Sequence, residues 1–134
     1  MPGCGFYAAL IVGGLDPPTP TFDHDEAGDL VVGDLDGDGD LDLYVSHYLE
    51  FDFNDNPKCG DDVRGIYGYC RPSSFRGVTD SLFINDGSGV FREEVGSRGL
   101  AEGVLEKGFG VIMTDIDFDR DLDIFVANDS TPNR

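Results

Sequence analysis

Asp34-Leu35-Asp36-Gly37-Asp38-Gly39-Asp40-Leu41-Asp42 decides the reading of this chain, because it sets five carboxylates at alternate positions of a nine-residue stretch. A second stretch, Asp115-Ile116-Asp117-Phe118-Asp119-Arg120-Asp121-Leu122-Asp123, repeats the rhythm. The flanks repeat as well. Val31-Val-Gly leads into the first copy and Leu43-Tyr-Val leaves it; Ile112-Met-Thr leads into the second and Ile124-Phe-Val leaves it. The two copies align without a gap, as strand, acidic turn and strand. Repetition of one β unit predicts a propeller or another repeat architecture.

Such density of carboxylates needs a cation. Like charges a few ångströms apart in a partly buried site repel strongly. Ca²⁺ is a hard ion that takes about six to eight oxygen ligands from carboxylates, main-chain carbonyls and water. In the first loop Asp34, Asp36 and Asp38 stand at positions one, three and five, Asp40 offers its carbonyl at position seven, and Asp42 closes the site at position nine. Gly39, at position six, permits the positive φ of a sharp turn. The second loop keeps Asp115, Asp117, Asp119 and Asp123, with Asp121 available through its carbonyl. Its position six is Arg120, which carries a steric cost at positive φ and brings a positive charge near the cation. An EF-hand opens with similar spacing but needs a bidentate Glu at position twelve, where this chain has Val45 and Val126. Asp23, Asp25 and Asp29 read as ordinary acidic residues, since Ala27 and Val31 fall where the motif wants oxygen.

The surroundings of the loops read as β structure. Glycine is abundant at 19 residues, Trp is absent, and no stretch sustains helical periodicity. Leu41, Leu43 and Val45 alternate with Asp42, Tyr44 and Ser46, and Leu122, Ile124 and Val126 repeat that alternation, as expected for strands with one face packed inward. Asp29 to Gly33 and Phe109 to Met113 are the strands ahead of the loops. Ser81 to Ile84 and Val90 to Val95 flank Asn85-Asp86-Gly87-Ser88-Gly89, whose residues favour a hairpin turn. Leu100 to Lys107 is a candidate short helical turn. Glu50 to Gly77 reads as a long insertion loop, and loops of that length are usually functional or stapled. Cys59 and Cys70 bracket its Gly- and Tyr-rich part and are the expected disulfide, against the alternative of two unrelated thiols. Cys4 is left without a partner in that scheme.

The chain of 134 residues with 40% apolar content supports one globular unit. Its 27 acidic and nine basic residues give a formal charge of −18, which disfavours nucleic acid and anionic membranes as partners. No apolar run is long enough to span a bilayer. Phe6 to Leu15 imitates the hydrophobic part of a signal peptide but lacks a basic flank, because the first Lys or Arg is Lys58. A boundary inside a longer protein is therefore expected at the N-terminus.

The aspartate loop followed by its strand resembles the FG-GAP or VCBS repeats of integrin-type β-propellers. More narrowly, the chain resembles the repeat region of cartilage acidic protein-like and ASPIC/UnbV proteins. Tyr48-Leu-Glu-Phe-Asp, Cys59-Gly, Tyr69-Cys-Arg-Pro, Leu82-Phe-Ile-Asn-Asp-Gly-Ser-Gly-Val-Phe, Lys107-Gly-Phe-Gly-Val and Val126-Ala-Asn-Asp-Ser-Thr-Pro-Asn carry this likeness. It covers residues 29–134, with the Cys-containing insertion at 50–77, and leaves residues 1–28 poorly matched. The resemblance implies a secreted, periplasmic or cell-surface propeller, usually of about seven blades, of which this chain supplies about two. Calcium ions, the remaining blades, and an extracellular protein or glycan are the partners it implies.

The expected role is that of a scaffold or interaction module. The competing reading is an accessory domain, or part, of a secreted hydrolase, because paired carboxylates serve glycosidases as acid and base. His24 and His47 lie in no zinc or nucleophile motif, and the chain has no Ser-centred elbow or phosphate-binding glycine loop. No catalytic residue is expected.

Overall fold

The computed structural model describes residues 27–52, 54, 57–100 and 105–134. Cys4, Asp23, Asp25, His24 and the Phe6 to Leu15 stretch lie outside these. The described residues hold eight strands and no α-helix: β1 (Ala27–Gly33), β2 (Asp42–His47), β3 (Cys59–Asp61), β4 (Ile66–Gly68), β5 (Ser81–Asn85), β6 (Phe91–Glu93), β7 (Gly108–Thr114) and β8 (Asp123–Asn128). β1, β2, β5 and β6 form one antiparallel sheet in chain order, and β7 pairs with β8 in another. Small antiparallel sheets, none closed into a barrel, make the fold all-β.

The insertion between β2 and β5 folds into the β3–β4 hairpin and a 3₁₀ turn at Pro72–Ser74. Cys59 and Cys70 are joined by a disulfide with Cα atoms 5.2 Å apart, so the expected pairing is present. Of the candidate helical turn, residues 101–104 lie outside the described residues, and 105–107 are irregular. The preceding segment turns at 95–100, and Arg98 N–H donates to the Glu94 carbonyl at 3.1 Å.

The internal repeat is exact in its pairing. Adding 81 to a number in the first unit gives its counterpart in the second (34 to 115, 42 to 123). Val31 faces Tyr44 as Ile112 faces Phe125, and Gly33 faces Asp42 as Thr114 faces Asp123. Even the irregularity recurs, between Ala27 and Asp29 and between Gly108 and Gly110. At that point β1 and β7 approach so closely that a Cβ on Gly28 would overlap the Gly108 carbonyl oxygen. Asp29 exploits the approach: its carboxylate accepts from Val111 N–H at 3.2 Å and so ties the two sheets together.

One expectation fails. The strand after the first loop is not packed on one face; all six residues of β2 are buried. Tyr44, Leu82 and Ile84 on one face join Val111 and Val126 in the main core, with Val31, Met113 and Ile124 packed against it. Leu43, Val45 and Phe83 on the other face form a second cluster with Phe91. Antiparallel sheets at a protein surface normally keep one face in water. In the first sheet the central strands β2 and β5 instead bury residues on both faces.

The contact between the units runs head to tail. Val111, Met113, Ile124 and Val126, which meet the first sheet, correspond to Leu30, Val32, Leu43 and Val45 of the first unit. The surface they meet contains Val31 and Tyr44, whose counterparts are Ile112 and Phe125. Ile112 is 55% exposed, and Leu30 and Val32 are 40% and 46% exposed. Each unit thus carries both halves of the contact.

Candidate metal centres

Both acidic loops join strands whose pairing ends on the last aspartate of the loop. Because Gly33 faces Asp42, the residue entering the loop and the residue leaving it are held opposite one another, and Thr114 and Asp123 do the same. The loop then folds over that closure. Asp34, Asp36 and Asp42 each place a carboxylate oxygen within 4.8 Å of the others, and so do Asp115, Asp117 and Asp123. Three of the five expected ligands in each loop are therefore gathered by their side chains. Asp38 and Asp119 stand outside the triads and hold the backbone, accepting from Asp40 N–H at 2.9 Å and Asp121 N–H at 3.0 Å. Asp40 turns its carboxylate towards Gly87 in the β5–β6 turn.

The two loops share one conformation. Gly39 N–H donates to Asp34 Oδ2 at 3.1 Å, and Arg120 N–H donates to Asp115 Oδ2 at 3.0 Å. Leu35 N–H reaches Asp42 Oδ2, and Ile116 N–H reaches Asp123 Oδ2, both at 2.8 Å. Gly39 has φ +97° and Arg120 φ +84°, so the arginine does adopt the left-handed conformation expected of position six. Position four repeats the demand: Gly37 has φ +75° and Phe118 +65°. The sequence reading missed Phe118, although an aromatic residue replacing glycine was the available signal.

An all-oxygen set suits a hard cation such as Ca²⁺ or Mg²⁺ rather than zinc or copper. The first loop also carries a specific vacancy in its hydrogen bonding. Asp34 Oδ1 is buried without a hydrogen-bond partner, whereas both oxygens of Asp115 accept from backbone N–H groups. A buried carboxylate oxygen with no donor is costly, and a bound cation satisfies it. Asp36 has its carboxyl held above the usual range, by partial desolvation first and by the neighbouring Asp38 charge second. The EF-hand alternative meets Val45 and Val126, 4% and 2% exposed, where a ligating Glu would have to stand.

A third strand separates the sites. Asp42 is completely buried, and its second oxygen accepts from Asn85 N–H at 2.9 Å, at the end of β5. Asn85 Nδ2 in turn donates to the Leu41 carbonyl. Leu35 packs into the main core, whereas its counterpart Ile116 is 53% exposed. The guanidinium of Arg98 lies 3.8 Å from Asp36 Oδ2.

Outside the loops, Asp80 joins Tyr44 Oη at 2.7 Å and His47 N–H at 2.8 Å, and Tyr48 Oη donates to Asp129 at 2.6 Å. Asp29, one of the aspartates set aside as ordinary, is part of the inter-sheet clasp. His47 is a buried strand residue whose backbone, rather than its ring, meets Asp80. Compared with models of known protein families, with curated proteins and with solved structures, the chain shows no match.

Proposed function

We propose that this chain is a calcium-binding repeat module of a β-propeller of the FG-GAP or VCBS kind, acting as a scaffold or as an extracellular surface for a protein or glycan. The observation that carries the metal reading is the repeated carboxylate triad, with Asp34 Oδ1 buried and lacking a donor in the better-supported copy. Asp34, Asp36 and Asp42 would hold the ion in the first loop, and Asp115, Asp117 and Asp123 in the second. Asp38, Asp40, Asp119 and Asp121 add carbonyl, water-mediated or loop-shaping oxygens. Bound Ca²⁺ supplies the positive charge that lets such loops close; the residues then keep β1 against β2, and β7 against β8, in a single register.

Three features support the propeller reading. The first sheet is a four-stranded meander in chain order. It is apolar on both faces. The contact between units is heterologous, and such a contact generates a ring when its rotation closes. About four to eight units complete a propeller, so the remaining blades would come from a longer chain. An extracytoplasmic setting agrees with the Cys59–Cys70 bridge. Among the described residues no helix is long and apolar enough to cross a membrane. The triads crowd three carboxylates together, rather than setting an acid and a base on opposite sides of a substrate, which favours binding over hydrolysis.

The test is thermal unfolding of the full chain with chelator, with Ca²⁺ and with Mg²⁺. Ca²⁺ at a hundredfold excess over its Kd should add about 2.7 kcal/mol per site. Identical curves with chelator and with Ca²⁺ would remove the reading.

A further inference from the structure

We propose that Arg98 is the resident counter-charge of the first aspartate loop and sets its affinity for divalent cations below what its carboxylates alone would give. This rests on the calcium reading of that loop and adds to it a residue distant in sequence.

Arg98 is delivered by the turn that follows β6. Its Nε donates to Glu94 at 3.0 Å, its backbone N–H to the Glu94 carbonyl at 3.1 Å, and its outer nitrogen stands 3.8 Å from Asp36 Oδ2. Glu94 fixes one side of the guanidinium and leaves the other directed at the loop. Val95 and Leu35 pack against the same core cluster, which seats the turn beside the loop. Ser97 Oγ donates to the Glu94 carbonyl, and Leu100 N–H to the Val95 carbonyl, so the turn is hydrogen-bonded within itself. The second loop shows no such neighbour among the described residues, in keeping with the exposure of Ile116.

Two consequences follow from the placement, and both act in the same direction. Without metal, the guanidinium offsets part of the mutual repulsion of Asp34, Asp36 and Asp42. With metal, it is a like charge a few ångströms from the ion. Arg98 and Asp36 side chains are 40% and 26% exposed, so solvent screening keeps the effect modest. Arg98 is therefore a positioning and affinity-setting residue rather than a ligand.

The experiment titrates Ca²⁺ into the full chain by calorimetry in an Asp117→Ala background, where the second loop loses a carboxylate of its triad and the first loop reports alone. Arg98→Gln should tighten binding about two- to five-fold, the range of an exposed ion pair. Arg98→Lys, which keeps the charge, should bind as the parent does. Unchanged or weaker binding in Arg98→Gln, or equal tightening in Arg98→Lys, would overturn the assignment. Absence of Ca²⁺ binding in the parent itself would instead strike the calcium reading of the loop, so the two failures are distinguishable.

Discussion

Position six of the two loops is a natural reciprocal experiment, because one copy has Gly39 and the other Arg120 in the same left-handed conformation. A Cβ built on Gly39 meets nothing within 4 Å, so Gly39→Ala tests the backbone alone. Holding an L-residue there costs about 1–2 kcal/mol. The loss of unfolded-chain freedom offsets about 0.4–1 kcal/mol of that. The net destabilisation should be about 1 kcal/mol, which is roughly 4 °C in Tm for a domain of this size. Arg120→Gly should gain about the same amount by the reverse argument. Urea unfolding in chelator measures both without the contribution of metal. In Ca²⁺, Arg120→Gly should also tighten the second site, since it removes a positive charge from the loop. If Gly39→Ala costs nothing and Arg120→Gly gains nothing, the shared loop conformation is wrong.

Other outcomes follow from the hydrogen bonding around the loops. Asp42 accepts two backbone N–H groups while fully buried, and an asparagine can accept with one oxygen only, so Asp42→Asn should cost about 1–3 kcal/mol in urea unfolding with chelator, where no metal contributes. Asp123→Asn, where Ile116 is the one backbone donor, should cost less; equal losses would remove the role given to Asn85. Tyr48 has its ionisation pushed up to about 12, first by donating to Asp129 and then by partial burial. The raised value means that the neutral hydroxyl stabilises the fold at pH below about 10, and that this contribution disappears as pH rises through about 12. A near-ultraviolet tyrosinate titration should lose its step near 12 in Tyr48→Phe, and an unaltered titration would contradict the bond.

Local signals carried most of what the sequence revealed. The aspartate rhythm, the glycine at position six and the alternating strands are all encoded within about a dozen residues, and the loops, β1, β2, β7 and β8 stand where that pattern puts them. Cys59 and Cys70 were legible for the same reason, being 11 residues apart around a segment with little other order. What stayed hidden depends on distant partners. Leu43-Tyr44-Val45 looks like a half-buried strand until Tyr44 packs with Val111 and Val126 of the second unit on one face, and Leu43 and Val45 cluster with Phe83 and Phe91 on the other. Asn85 reaches Asp42 across 43 residues, and Asp29 reaches Val111 across 82. Arg98 meets Asp36 because Val95 and Leu35 share a core cluster, and no spacing announces that. The two loops also differ in their surroundings, since Asn85 of β5 donates to the fully buried Asp42 and no such strand stands beside Asp123 among the described residues.

The central claim is that two separate carboxylate triads bind calcium. Calorimetric titration of Ca²⁺ into the metal-free full chain, repeated on Asp36→Ala and on Asp117→Ala, tests it most directly. The account predicts two binding events in the parent chain, with each substitution removing or severely weakening one and sparing the other. A titration without binding heat, accompanied by no gain in thermal stability, would contradict it.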